Sequence, residues 1–311
     1  MQIIHGLHNL RPAHRGCVAT IGNFDGVHRG HQAVIKNLLL QARSSKLPAT
    51  VIVFEPQPAE YFAGPAAPAR LTTLRDKCLL LAHYEVERLV MLRFDAALAS
   101  LTAAQFIQGV LIDALGIKGL IVGDDFKFGC DRGGDFSLLQ AFAGECDFQL
   151  AHTNSFMAHD TRASSTRVRA ALDVGDFATV VELLGHPYQI SGRVVHGNKN
   201  GRKMGFPTAN LNLSRRRSPL HGIYAAKVAG LGATAREAIA YVGTRPILGG
   251  KKFVLEVHVF DYDEACYGQH IAVEFLHKIR DDLPFTSFAA LAHQIALDCA
   301  CARELLRGDR A

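Results

Sequence analysis

Two histidines three positions apart follow a short apolar run, in the stretch GNFDGVHRGH at residues 22–31. The preceding run CVATI predicts a buried strand and the residues from His31 onward predict a helix, so the stretch is a strand-to-helix turn. A helix N-terminus offers free N–H groups and a partial positive charge, which favour phosphate. His28 and His31 could each add a donor, stronger if protonated near neutral pH. The alternative is an ordinary glycine turn with exposed histidines.

Two common nucleotide motifs are missing from the sequence. It contains no Gly-x-x-x-x-Gly-Lys-Ser/Thr phosphate loop and no Gly-x-Gly-x-x-Gly dinucleotide turn. Hydride transfer with a dinucleotide therefore loses its main support.

A second candidate site lies further along, in HGNKNGRKMGFPTAN at residues 196–210. A loop rich in glycine and lysine can wrap phosphates with its backbone N–H groups. Downstream, Glu256 interrupts the apolar run LEVH, where a paired structural charge is the alternative to a catalytic carboxylate.

The elements that would position these residues change in type along the chain. Up to about residue 185, short apolar runs alternate with longer amphipathic segments, which predicts β-α-β units and a parallel, Rossmann-like α/β sheet. Ligands bind beyond the carboxyl ends of such strands. After residue 186 closely spaced strand patterns predict a small antiparallel β-barrel followed by a terminal helix over residues 286–306. We expect two domains, residues 1–185 and 186–311.

Composition limits the function classes. The 311 residues carry a formal charge of +5, which suits anionic small ligands and is too small to indicate nucleic acid. The seven cysteines form no Cys-x-x-Cys pair, so we expect free thiols. The opening residues show no secretion signal and no stretch is typical of a membrane span, so we expect a cytoplasmic protein that binds no membrane.

Several motifs together resemble those of the bacterial bifunctional riboflavin kinase/FMN adenylyltransferase family, also called FAD synthetases. They are GNFDGVHRGH, FEPQP (54–58), RLT (70–72), VGDDFKFG (122–129), SSTRVR (164–169), GFPTAN (205–210) and LEVH (255–258). The resemblance covers nearly the whole chain and implies ATP, Mg2+ and the flavins riboflavin, FMN and FAD as ligands.

For the first domain, the resemblance implies attack of the FMN phosphate on the α-phosphorus of ATP, with release of pyrophosphate. His28 and His31 would hold ATP phosphates. The nucleotide and flavin would contact Gly22, Asn23, Phe24, Asp25, Gly26, Gly30, Asp125 and Phe128. The leaving pyrophosphate would be stabilised by Ser165, Thr166 and Arg169, since hydroxyls and an arginine at a helix start form an anion site.

For the second domain, the resemblance implies that Thr208 and Asn210 coordinate Mg2+ and nucleotide phosphates, as oxygen ligands suit that hard cation. The surrounding binding loop would include Gly197, Lys199, Gly201, Arg202, Gly205 and Pro207. Glu256 would be the base on the ribityl 5′-hydroxyl.

One motif departs from the family. Where the family usually has Asn-Ile-Gly-Thr-Arg-Pro-Thr, this chain has YVGTRPI at residues 241–247, so Tyr241 and Ile247 replace an amide and a hydroxyl. Three interpretations follow: an enzyme with both activities, an FMN adenylyltransferase with a weak kinase barrel, or a flavin-binding module without turnover. Thr208, Asn210 and Glu256 together argue against the third. A homo-oligomer is left open.

Overall fold

The protein was analysed as a computed structural model, which describes residues 1–154, 156–158, 161–197, 201, 204–213, 217–244 and 253–308. The chain forms two compact units: Met1–Pro68 with Leu74–Ser164, and Ala69–Thr73 with Ser165–Ala311. The helices between residues 165 and 184 thus belong to the second unit, while the expected functional boundary at 185/186 stays a prediction. Within the described residues, no helix is both long and apolar enough to cross a membrane.

The first unit is built around parallel strands. In chain order its elements are β1 (Gln2–His5), β2 (Val18–Ile21), α1 (Arg29–Ser45), β3 (Ala49–Glu55), α2 (Pro58–Ala63), α3 (Leu74–His83), β4 (Arg88–Arg93), α4 (Ala96–Ala99), α5 (Ala103–Phe106), a π-helix (Ile107–Ala114), β5 (Gly119–Gly123), α6 (Phe136–Cys146), β6 (Gln149–Thr153), β7 (Met157–Ala158) and β8 (Thr161–Arg162). The order of the six-stranded sheet is β1-β4-β3-β2-β5-β6, all parallel.

Both faces of this sheet are buried. Alternate residues of β2 pack into two separate hydrophobic cores, with Ala19 and Ile21 on one face of the sheet and Val18 on the other. The strand order reverses at β2 and β5, and in open α/β sheets the ligand crevice lies outside the carboxyl ends at such a reversal. The loops after β2 and β5 are therefore the places for chemistry.

The second unit contains the barrel. Its elements are α7 (Ser165–Val174), α8 (Phe177–Leu184), β9 (Gln189–Val195), β10 (Ala209–Leu211), β11 (Gly222–Ala229), β12 (Arg236–Thr244), β13 (Phe253–Val259), β14 (His270–Arg280) and α9 (Phe288–Gly308). The six strands close antiparallel in the order β10-β13-β12-β11-β14-β9. This confirms the predicted barrel and terminal helix.

A buried ion pair holds α9 on the barrel. The Arg280 guanidinium donates to both carboxylate oxygens of Asp298, from Nε at 2.9 and 3.1 Å and from Nη2 at 2.7 Å. Gln294 donates to the same carboxylate at 2.9 Å, and the Asp298 side chain is only 4% exposed. Around it, Cys299, Ala302 and Leu306 pack on the outer faces of β11 and β12.

We expect Asp298→Ala to lower the free energy of unfolding by about 3–5 kcal/mol, because it leaves the Arg280 charge largely buried without its partner. Urea denaturation followed by circular dichroism measures the change. The control Glu304→Gln, on the exposed side of the same helix, should stay within about 0.5 kcal/mol of the unmodified protein. Equal stability of the two variants would contradict this role for the pair.

Candidate active sites

The turn after β2 has an unusual backbone. Phe24 and Val27 have φ values of 47° and 42°, and Gly26 lies between them at 81°. A left-handed conformation is costly for a β-branched residue such as Val27, which is completely buried. The turn therefore has a strained backbone held in place by its surroundings, as is frequent at functional sites.

His28 and His31 come together at the start of α1. Their rings stack with centroids 3.7 Å apart, and Phe24 lies 4.9 Å from the His31 ring. His28 is the N-cap of α1, and its Nδ1 accepts the N–H of His31 at 3.4 Å, which leaves Nε2 as the His28 donor. A Cβ at Gly30 would lie 3.1 Å from the His28 ring, so a side chain there would crowd the stack.

The structure places His31 in a site that disfavours its charged form. Burial is the largest cause that lowers the pKa of His31 well below 6.5, followed by the charges of His28, Lys77 and Arg162. His31 Nδ1 is buried and has no hydrogen-bond partner within the part of the chain that the structure describes. His31 is therefore a neutral imidazole near pH 7, whereas the sequence had suggested protonation as a way to strengthen its contacts.

Lys77 is a buried cation that sequence reasoning missed. It is 0% exposed, on a helix, α3, that contacts the turn at residues 25–27. Asp25 in that turn is also buried, at 2% exposure. The signal was present in the spacing, since Lys77 falls three residues after Leu74 and four before Leu81 on the apolar face of its helix.

The loop after β5 is tied to β8 by ion pairs. Arg162 Nη2 donates to Asp125 at 2.7 Å, and its Nη1 lies 3.6 Å from Asp124. The hydrogen bond from Arg162 is the main cause that lowers the pKa of the Asp125 carboxyl. Arg162 was also missed, although it comes just before the SSTRVR motif.

Aromatic rings form a continuous row near the carboxyl ends of the strands in the first unit. Neighbouring centroids along the row are between 5.2 and 6.4 Å apart, and Phe126 and Phe128 are stacked at 5.2 Å. We call this the aromatic row; its members are Phe126, Phe128, Phe106, Phe54, Phe94, Tyr61 and Phe62. Phe62 at its end is 71% exposed. The row combines core packing with an accessible apolar surface.

The helix start for which we predict anion binding belongs to the second unit. α7 begins at Ser165, and Thr166 and Arg169 lie in its first turns. Arg169 Nε donates to the Ala69 carbonyl at 2.6 Å, which ties the helix to the segment that contains the RLT motif.

The barrel brings three candidate residues into one row across adjacent strands. Glu256 on β13 is the register partner of Asn210 on β10 and of Tyr241 on β12. Side chains at such paired positions lie on the same face. The Glu256 carboxylate is partly withdrawn from solvent, with Oε1 buried.

Two predicted glycines lie where a side chain would collide with the predicted metal ligands. A Cβ at Gly197 would fall 2.6 Å from Asn210 Oδ1, and one at Gly201 would fall 3.2 Å from Thr208 Oγ1. Gly201 O also accepts the Phe206 N–H at 2.8 Å, and Gly205 has a φ of 86°. Both glycines thus keep neighbouring side chains away from the Thr208 and Asn210 oxygens, and oxygen donors are the ligands that suit a small hard cation such as Mg2+. Lys199, Arg202 and Ile247 lie outside the described residues.

Tyr241, the departure from the family, has a defined partner. Its hydroxyl donates to Asp282 Oδ2 at 2.9 Å, and its ring packs against the cluster under α9. A Cβ at Gly243 would lie 2.6 Å from Tyr241 Cζ, so the glycine makes room for the ring.

His258 of the LEVH motif fixes the approach to Thr208. Its Nδ1 lies 2.8 Å from the Pro207 carbonyl, which can only accept, so Nδ1 carries the proton. The ring also meets Phe206 edge-on at 5.7 Å.

A cavity of about 200 Å³ opens at one end of the barrel, beside Thr208. Its floor is apolar, and its outer wall is the segment from Tyr262 to Tyr267 after β13. The lining comprises Val194, Pro207, Thr208, Ala209, Val257, Val259, Tyr262, Asp263, Glu264, Cys266 and Tyr267. Sequence patterns did not indicate this cavity, because its lining residues are distant along the chain.

Comparison with known proteins identifies relatives over the whole chain. Two family models match, FAD synthetase over residues 10–167 and riboflavin kinase over residues 184–306. The bifunctional riboflavin kinase/FMN adenylyltransferases of Escherichia coli K12 and Haemophilus influenzae are 49% and 46% identical, covering 98% and 97% of this chain and 97% and 98% of their own. A crystal structure described as a macrolide-efflux protein from Streptococcus pneumoniae is 31% identical, with a TM-score of 0.81 over 97% of this chain and 99% of that one.

In the ligand-free protein, we expect the His31 imidazole to stay neutral at about pH 6, because its pKa is lowered well below 6.5. Below about pH 6.5 the unfolded chain then binds more protons at this residue than the folded chain, so the contribution of His31 to stability is lost as the pH falls. Imidazole ¹⁵N NMR measures the titration. Lys77→Met should raise this pKa by removing a like charge, and a His31 midpoint near 6.5 in the unmodified protein would contradict the assignment.

Proposed function

Because this chain belongs to the family of bifunctional riboflavin kinases/FMN adenylyltransferases, we propose that its candidate sites divide two consecutive reactions between them. The enzyme phosphorylates riboflavin to FMN with ATP and then adenylylates FMN to FAD with a second ATP. We assign adenylyl transfer to residues 1–185 and phosphorylation to residues 186–311. The observation that carries the kinase assignment is the Asn210, Glu256 and Tyr241 row beside Thr208.

In adenylyl transfer, a phosphate oxygen of FMN bonds to the α-phosphorus of ATP while the bond to the β-phosphate oxygen breaks. We assign phosphate binding to His28 and His31, whose rings stack at the start of α1, where the lowered pKa of His31 keeps that imidazole neutral. A phosphate oxygen would satisfy the unpartnered Nδ1 of His31 if that nitrogen carries the proton. Ser165, Thr166 and Arg169 stabilise the charge on the departing pyrophosphate.

The nucleotide and FMN contact the loops around the sheet reversal. The turn after β2 contains Gly22, Asn23, Phe24, Asp25 and Gly26, the first turn of α1 contains Gly30, and Asp125 and Phe128 follow β5. The aromatic row supports the flavin assignment, since a flat conjugated ring stacks on phenylalanine faces.

In phosphorylation, the ribityl 5′-oxygen bonds to the γ-phosphorus of ATP, the bond to the β-phosphate oxygen breaks, and the hydroxyl proton passes to Glu256. The partly buried carboxylate faces Asn210 directly across the strands, so base and metal-binding amide are adjacent. Thr208 and Asn210 would hold Mg2+, which supplies charge neutralisation on the phosphates when bound. Gly197, Gly201, Gly205 and Pro207 shape this loop, and Lys199 and Arg202 are assigned to it by the family motif.

The cavity beside Thr208 suits the base of ATP. Val257 and Val259 lie in its apolar floor, whereas Glu256 projects from the opposite face of the same strand. A nucleotide with its base in the cavity therefore reaches Thr208 with its phosphates. ATP, Mg2+ and the three flavins remain the proposed ligands, and the cytoplasmic location stays a prediction.

His28→Ala and His31→Ala should each reduce FAD formation from supplied FMN by about 10²-fold or more, since each removes a donor to the phosphates in the transition state. FMN formation from riboflavin should change little. Chromatographic separation of FMN and FAD measures both reactions, and His83→Ala, on the exposed face of α3, is the control. Equal loss of both activities in a folded variant would refute this assignment.

Glu256→Gln keeps the shape of the side chain and removes its basicity, so phosphorylation of riboflavin should fall by about 10²–10⁴-fold. Flavin affinity and FAD formation from supplied FMN should persist. A variant that phosphorylates at the unmodified rate would show that Glu256 is structural. An unmodified protein that makes FAD from FMN but no FMN from riboflavin would favour the adenylyltransferase-only alternative.

A further inference from the structure

The terminal helix α9 contacts the turn that follows β13. Arg303 of α9 donates to both oxygens of the Asp261 carboxylate, from Nη1 at 3.0 Å and from Nη2 at 2.9 Å. Its guanidinium also lies 4.2 Å from the centre of the buried Phe260 ring. Because the planar guanidinium binds the carboxylate through two hydrogen bonds and also stacks on the ring, it fixes the orientation of both groups as well as their distance from Arg303. Arg303 therefore holds both residues of the turn in one geometry.

Asp261 needs such a restraint because of its backbone. Its φ is 53°, in the left-handed region that non-glycine residues adopt only at an energetic cost. The Asp261 side chain is 79% exposed, so packing does not hold it in place. An isolated exposed ion pair contributes little to global stability, but a two-point contact on a strained turn sets the direction of the chain that leaves it.

That direction matters because the chain leaving the turn is the outer wall of the barrel cavity. Tyr262 comes directly after Asp261 and lines the cavity, as do Cys266 and Tyr267 at the far end of the wall. The far end has its own support, since the Tyr267 ring stacks on His196 with centroids 4.0 Å apart. Tyr262 itself lies under the Arg236 guanidinium at 4.9 Å.

We propose that Arg303 is a positioning residue for the nucleotide of the kinase reaction, acting through Asp261 and the cavity wall. This rests on the proposed function, in which the cavity receives the base of ATP. Arg303 is not among the residues that line the cavity and lies on a different element from Thr208, Asn210 and Glu256. Its loss weakens binding of ATP equally in the ground state and in the transition state, which raises KM and leaves kcat unchanged.

Arg303→Met tests this in the full-length protein, because methionine keeps an apolar stem near Phe260 and removes the fork. We expect KM for ATP in riboflavin phosphorylation to rise about fivefold or more, within the range that positioning residues produce. The kcat, the KM for riboflavin and FAD formation from FMN should stay within about twofold, a split that general loss of structure would not give. Arg307→Met, one turn further along the same helix, is the matched control and should leave all four values unchanged.

Asp261→Asn and Asp261→Gly remove the ion pair and keep the backbone conformation, since asparagine and glycine both tolerate a left-handed conformation. Each should raise KM for ATP as Arg303→Met does, and Arg303→Met with Asp261→Asn should be no worse than either alone, because both remove one contact. An unchanged KM in Arg303→Met, or additive effects in the double variant, would overturn the proposal.

Cys266 provides a readout that does not depend on turnover. In the unmodified protein, a non-hydrolysable ATP analogue with Mg2+ should protect Cys266 from alkylation by iodoacetamide, as measured by peptide mass spectrometry. Absence of protection would refute the nucleotide cavity, and with it the proposed function of this end of the barrel. If protection occurs, Arg303→Met should require about fivefold more analogue for half-protection, matching its KM shift; the same concentration for both proteins would refute the role of Arg303 alone.

Discussion

Alternation of side chains along buried strands decides where chemistry can occur in this molecule. In the parallel sheet every residue of β2 is buried, so neither face can present a polar group to a ligand. The polar residues Asn23, Asp25 and His28 therefore lie in the turn beyond Ile21. In the barrel, alternation leaves one face of a strand available for polar groups. Leu255, Val257 and Val259 are buried, so Glu256 lies on the opposite face of β13.

The sequence predicted the features that depend on neighbouring residues. β2, the turn and α1 are contiguous, so their pattern indicated a strand-to-helix anion site, and the structure adds the His28 and His31 stack. The sequence pattern did not indicate β10, because a strand of three residues is too short to show alternation. Nor could it assemble the aromatic row, whose rings come from loops and helices that only the sheet order brings together.

The electrostatics of the first site also needed the fold. Two histidines at a helix start look like groups that can gain charge at neutral pH, but burial together with Lys77 and Arg162 disfavours that charge at His31. The role of Tyr241 also needed the fold. The sequence showed that tyrosine replaces the amide side chain of the family motif, whereas only the structure shows that the tyrosine hydroxyl donates a hydrogen bond to Asp282. Gly243, which the family motif also has, leaves room for the larger ring.

Barrel closure has a consequence for synthesis of the chain. β9, the first strand of the barrel to be translated, pairs with β14, the last one, through the register His270↔Arg193 to Glu274↔Gln189. Its other neighbour, β10, contributes only a short pairing. Until β14 leaves the ribosome, one edge of β9 stays unpaired and open to association with other nascent chains. The parallel sheet is complete once β6 has emerged, so the strands of the barrel are the later of the two sets to become fully paired.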